Sequence, residues 1–181
     1  MAVTNLDTLV ANIGAVLQPA EHGAGAIGTS GFGAPRTYRR IEDGVIITQV
    51  KIDITGLYDG GTANDAIGLA TATACKIGRN VVATNGVIFK AELSCIEVPA
   101  GGDPDINVVR NASGTIQGDA AAGTAYVSGN SGDLAAGNTI QNLVPVVTAD
   151  EYYYLACGTS TGATYTAGML IFTTWGHPLL I

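Results

Sequence analysis

From Val45 to Ile54 the sequence alternates with a period of two, Ile46, Thr48, Val50, Ile52 and Ile54 against Gln49, Lys51 and Asp53. Only an extended chain sends successive side chains to opposite faces, so this run predicts a strand with one buried and one wet face. A second run, Val87 to Val98, sets Val87, Phe89, Ala91, Leu93 and Cys95 against Lys90, Glu92 and Ser94, and Pro99-Ala-Gly-Gly-Asp-Pro104 closes it. Further strands are expected over 66–77, 106–110, 139–147, 152–157 and 165–175, with short ones near Val81 and Tyr126; the alanines of 66–74 also permit a helix. Val, Ile and Thr number 15, 16 and 20, against 31 for Leu, Glu, Lys, Gln, Arg and Met together, a balance that favours strands. No βαβ alternation and no fixed repeat appears, so residues 41–181 are expected to form an all-β, jelly-roll-like two-sheet sandwich. The Gly-rich segment Asn111–Asn138 is expected as a long surface loop.

Residues 1–40 read differently. Leu6, Leu9, Val10, Ile13 and Leu17 follow helical spacing, Thr4 and Asp7 stand at capping-box spacing, and Pro19 ends the helix. A Gly-rich stretch, Glu21 to Pro35, follows. One short amphipathic helix must lay its stripe on another surface, and its linker gives it reach to a neighbouring subunit. Residues 1–40 are therefore expected to form an arm.

The charge balance excludes some partners. Eight Lys and Arg against 15 Asp and Glu leave a net charge of −7, which argues against nucleic-acid binding. No window approaches the roughly 18 consecutive apolar residues of a membrane span. The three cysteines, Cys75, Cys95 and Cys157, form no close pair, and the start lacks the basic and apolar regions of a secretory signal. They are expected as free core thiols of a protein made in the cytoplasm.

Chemical motifs fail on context. Gly23-Ala-Gly-Ala-Ile-Gly28 follows a helix and runs into a linker, whereas a dinucleotide fingerprint needs a strand before it and a helix after. Gly158-Thr-Ser-Thr-Gly162 resembles a nucleophile elbow, but a strand follows it and no acid lies between Ser160 and His177; a polar hairpin turn is expected. His22 and His177 lie far apart. Asp103, Asp105 and Asn107 imitate a calcium loop whose sixth position would be Val108 rather than glycine. An irregular calcium site with Asp59 or Asp65 competes there with simple turn capping. No catalytic residue, metal or cofactor is expected.

The residues that stand out are suited to protein contacts. Arg36, Arg39 and Arg40 form the main basic cluster, where the arm meets the sandwich. They would either line a solvated strand entry or pair with a neighbour's carboxylates. Tyr152, Tyr153, Tyr154, Tyr165 and Trp175 crowd the last thirty residues, and alternation would leave Tyr153 on the outer face. Leu179 and Leu180 add apolar bulk near the end. The candidate partner-binding set is thus Leu6, Leu9, Val10, Ile13, Arg36, Arg39, Arg40, Tyr153, Trp175, Leu179 and Leu180.

Three segments carry a resemblance: Val45-Ile-Ile-Thr-Gln-Val-Lys-Ile-Asp-Ile-Thr-Gly-Leu57, Phe89-Lys-Ala-Glu-Leu-Ser-Cys-Ile-Glu-Val98 with Asp103-Pro-Asp-Ile106, and Thr164-Tyr-Thr-Ala-Gly-Met-Leu-Ile-Phe172. Their pattern resembles the capsid cement (decoration) proteins of tailed phages, notably cyanophages. The resemblance implies a jelly-roll-like domain, commonly trimeric, on the outside of the virion head, where it bridges major capsid subunits against internal DNA pressure. A receptor- or carbohydrate-binding β module, using the Asn111–Asn138 segment and surface tyrosines, is the alternative.

Overall fold

A computed structural model of the 181-residue chain describes residues 36–69, 74–118, 120–128, 132, 134–143, 150–159 and 162–178. The expected helix over Leu6–Leu17 and the rest of residues 1–35 lie outside these. Two antiparallel sheets face each other, as an all-β sandwich requires. The first contains β1 (Arg36–Glu42), β2 (Val45–Asp53), β4 (Val87–Ala100), β7 (Thr139–Asn142) and β9 (Ala167–His177), in the order β1-β2-β9-β4-β7. The second, ordered β3-β8-β5-β6, contains β3 (Gly78–Arg79), β5 (Ile106–Asn111), β6 (Thr124–Val127) and β8 (Tyr152–Cys157). A single helical turn, α1 (Val82–Asn85), stands where a short strand was expected near Val81.

The period-two run of β2 is realised residue by residue: Ile46, Thr48, Val50, Ile52 and Ile54 are buried. The strand preceding it was not expected, because Arg36-Thr-Tyr-Arg-Arg-Ile-Glu42 lacks apolar alternation. It forms a hairpin with β2 through the two-residue turn Asp43-Gly44, at φ +49° and +76°. Both positive values suit the type I′ turn, whose twist matches that of paired strands. Residues 36–40, expected as the end of the arm, thus pair as part of β1.

The last long strand, β9, is central, between β2 and β4. Its inward Leu170, Phe172 and Thr174 meet the other sheet, and Phe172 lies edge-on to Tyr153 at 5.2 Å. In β4 the alternation slips. A register shift between Ile88 and Lys90 turns Ile88 inward, while Val87 and Phe89, expected inside, are exposed at 51% and 37%. One extra residue in a strand reverses every face before it.

Strand β8 is buried on both sides. Tyr153 lies against Phe172 and Tyr126 between the sheets, while Tyr154 sits under a covering layer formed by residues 65–69, 74–77, 112–118 and 120–122. That layer is held by Cys75 N–H to Ile116 O (3.0 Å), Ala66 N–H to Ala120 O (2.8 Å) and the Tyr154 hydroxyl to Ser113 O (2.6 Å). Asn111–Asn138 is thus more than a surface loop: it contains β6 and buries Ala122, Tyr126, Val127 and Leu134. Among the described residues of 66–77, Ala66, Gly68 and Ala74 form isolated bridges. All three cysteines are free and buried.

Candidate interaction surface

Four buried aspartates converge where the sheets are joined by the Gly158–Gly162 segment. Asp59 accepts the N–H groups of Ala163 (2.7 Å) and Asp103 (2.9 Å). Asp103 accepts from Asp105 N–H (3.0 Å), Thr159 N–H (2.6 Å) and the Thr159 hydroxyl (2.9 Å). Asp65 accepts from Gly61 and Thr62 N–H and the Thr62 hydroxyl, and Asp105 from the Asn107 amide. Buried loop N–H groups need acceptors, and charged oxygens are strong ones. These oxygens act as turn caps; among the described residues no group of three or more His, Cys, Asp and Glu is placed to hold a metal ion. The segment is also not a hairpin, since β8 and β9 lie in different sheets. Burial, then the charges of Asp59 and Asp103, push the Tyr165 hydroxyl well above the usual tyrosine range; its hydroxyl donates to Asp103 O at 2.7 Å.

The expected binding residues separate in space. Leu6, Leu9, Val10, Ile13, Leu179 and Leu180 lie outside the described residues, as do His22 and Ser160. Arg36 opens β1. Arg39, at the inward register position opposite Thr48, donates to the Thr48 hydroxyl at 3.3 Å. Arg40, on the outer face, pairs with Glu42 and donates to Gln49, both at 3.2 Å, so its fork has carboxylate and amide partners within its own chain. Tyr153 is corrected: only 4% exposed, it is a core residue. Alternation assigned it to the wet face because the sequence does not reveal the second covering layer. Trp175 is half-buried on the outer face, with Lys90 Nζ 4.2 Å above its ring.

Sequence reasoning missed the exposed apolar groups. Tyr38 and Ile41 belong to β1, Val87, Phe89, Ile96 and Val98 to β4, and Leu143 follows β7 directly. All seven are on or beside the five-stranded sheet; the four-stranded sheet has none. Phe89 stacks on His177 at 4.5 Å, beside Val87. The signal for this patch was the bulge, which composition does not reveal. No family model, curated protein or solved structure matches the chain. The surface is therefore interpreted from its own geometry.

Proposed function

We propose that this chain is a structural virion protein, a capsid cement (decoration) protein that binds the outer surface of a mature phage head and bridges major capsid subunits. The observation that carries the proposal is the one-sided exposure of apolar groups. One sheet turns Val87, Phe89 and Trp175 outward, while on the other the chain's own loops cover β8 and no large apolar side chain is exposed among the described residues. A one-sided apolar surface suits repeated contacts with protein. The buried carboxylates hold loops, and the net charge of −7 disfavours DNA as the partner. The use of Asn111–Asn138 to cover β8 favours this reading over a sugar-binding loop.

The mechanism is binding linkage. A protein that binds only the expanded shell stabilises it by RT ln(1 + [L]/Kd), about 2.7 kcal/mol per site at a hundredfold excess over Kd, repeated over many sites. A homotrimer would add avidity without new chemistry. The test is co-sedimentation of the purified chain with expanded and unexpanded shells of the parent phage. Saturable binding to expanded shells only is expected; equal binding to both, or to neither, would refute the proposal.

A further inference from the structure

We propose that Asn85-Gly86 is a self-modification site gated by folding: the native sandwich holds it closed, and the unfolded chain deamidates there to an isoaspartate that bars return to the fold. This is independent of the capsid reading.

The sequence contains a single Asn-Gly step, at Asn85-Gly86. In such a step the backbone nitrogen after the asparagine can reach the side-chain carbonyl, because glycine places no Cβ in the way. Gly86 N bonds to Asn85 Cγ, and Nδ2 leaves as ammonia with the proton that water carries from Gly86 N. A further water opens the resulting succinimide. Cleavage between Gly86 N and Cγ gives aspartate; cleavage between Gly86 N and the Asn85 main-chain carbonyl carbon gives isoaspartate, with the chain rerouted through the side chain.

The fold uses both residues of this labile step. Asn85 closes α1 and is 4% exposed. Its Oδ1 accepts from Val81 N–H at 3.0 Å, and its Nδ2 donates to the Thr48 hydroxyl oxygen at 3.3 Å, so one amide ties the turn to β2. A carboxylate has no proton for the second bond. Gly86 has φ +70°, and a Cβ there would run into His177 O. Position 86 therefore demands glycine.

The same contacts hold the reaction closed. Gly86 N–H, which must lose its proton to attack, donates to Val82 O at 2.9 Å. The Asn85 amide is fixed between Val81 and Thr48, and Asn85 O lies against Gly176 of β9, where a Cβ would meet it. Ring closure requires this side chain to release both partners and turn to Gly86, so α1 must open first. The native rate is then the unfolded rate scaled by the open fraction.

Isoaspartate does not refit the site. It adds a methylene to the main chain and takes away the amide that bonds Val81 and Thr48. Directly after it, Val87 and Ile88 pair with His177 and Gly176 of the central strand, a register that the longer chain displaces. A chain that stays open long enough is thus lost irreversibly.

The test holds the full chain at mildly alkaline pH in native buffer and in guanidinium chloride, and follows the tryptic peptide Asn80–Lys90 by mass spectrometry. The peptide carries its own control, since Asn80 precedes the β-branched Val81. In denaturant Asn85 is expected to deamidate ahead of Asn80, with isoaspartate identified by isoaspartyl methyltransferase labelling. In native buffer the reaction is expected to be at least about tenfold slower. After denaturant removal, isoaspartate is expected to be depleted from the fraction that elutes as native protein on size exclusion. Equal rates in the two buffers, Asn80 reacting as fast as Asn85, or isoaspartate carried undiminished into the refolded fraction would overturn the proposal.

Discussion

Replacing Asp103 tests whether buried carboxylates hold the junction between the sheets. The side chain is 2% exposed and accepts three donors, Asp105 N–H, Thr159 N–H and the Thr159 hydroxyl. Asp103→Ala leaves two backbone N–H groups without acceptors, while the hydroxyl can rotate away. Each stranded buried donor costs about 1–3 kcal/mol, so the loss is roughly 2–5 kcal/mol after partial relief by water. For a chain of this size that lowers Tm by roughly 5–20 °C. Asp103→Asn keeps the shape but turns its NH2 toward either Asp105 N–H or the Thr159 donors, so about half the loss is expected. Thr159→Ala removes one hydroxyl bond and costs about 1 kcal/mol. Urea unfolding of the four proteins, compared at equal m-value, measures the series. Asp103→Ala within about 0.5 kcal/mol of wild type, or Asp103→Asn as stable as wild type, would refute the reasoning. The first result would mean the donors have other acceptors, the second that the negative charge is irrelevant.

Three further outcomes follow from the core. Phe172→Ala removes a ring packed against Tyr126 and Tyr153 and should cost about 3–5 kcal/mol in chemical denaturation; a cost below 1 kcal/mol would contradict the inter-sheet packing. Burial pushes Cys157 up to about 11, and Cys75, Tyr126 and Tyr154 up to about 12, from ordinary values of 9.0 for Cys and 10.0 for Tyr. These groups are neutral when protonated, so their stabilising contribution is whole below pH 9 and is lost as pH rises through 9–12; tyrosinate absorbance should rise together with unfolding. Cys75, Cys95 and Cys157 should react with a thiol reagent only on unfolding, and reaction in the folded protein would contradict their burial.

Much of the sandwich was legible because the period of β2 reports a half-buried strand directly. What escaped has physical reasons. Strand β1 is an edge strand rich in arginine, and charge on an edge erases alternation; only the Asp43-Gly44 turn signalled it. In β4 one bulged residue turned Val87 and Phe89 outward, and with them the apolar patch. Strand β8 alternates no more in burial than in sequence, since both its faces are covered, so Tyr153 was given to the surface. The aspartate links join residues 44 to 104 positions apart, and spacing shows no such closure. Of the expected binding residues, Arg40 and Trp175 do share the outer face with the patch, while Arg39 and Tyr153 turn inward.

The most direct test of the cement-protein proposal is the copy number of this chain in purified virions, measured by quantitative mass spectrometry against the major capsid protein. The proposal predicts a fixed ratio near one copy per capsid subunit, on the order of hundreds per particle, as multivalent reinforcement of a shell requires. A handful of copies per particle, or none, would contradict it.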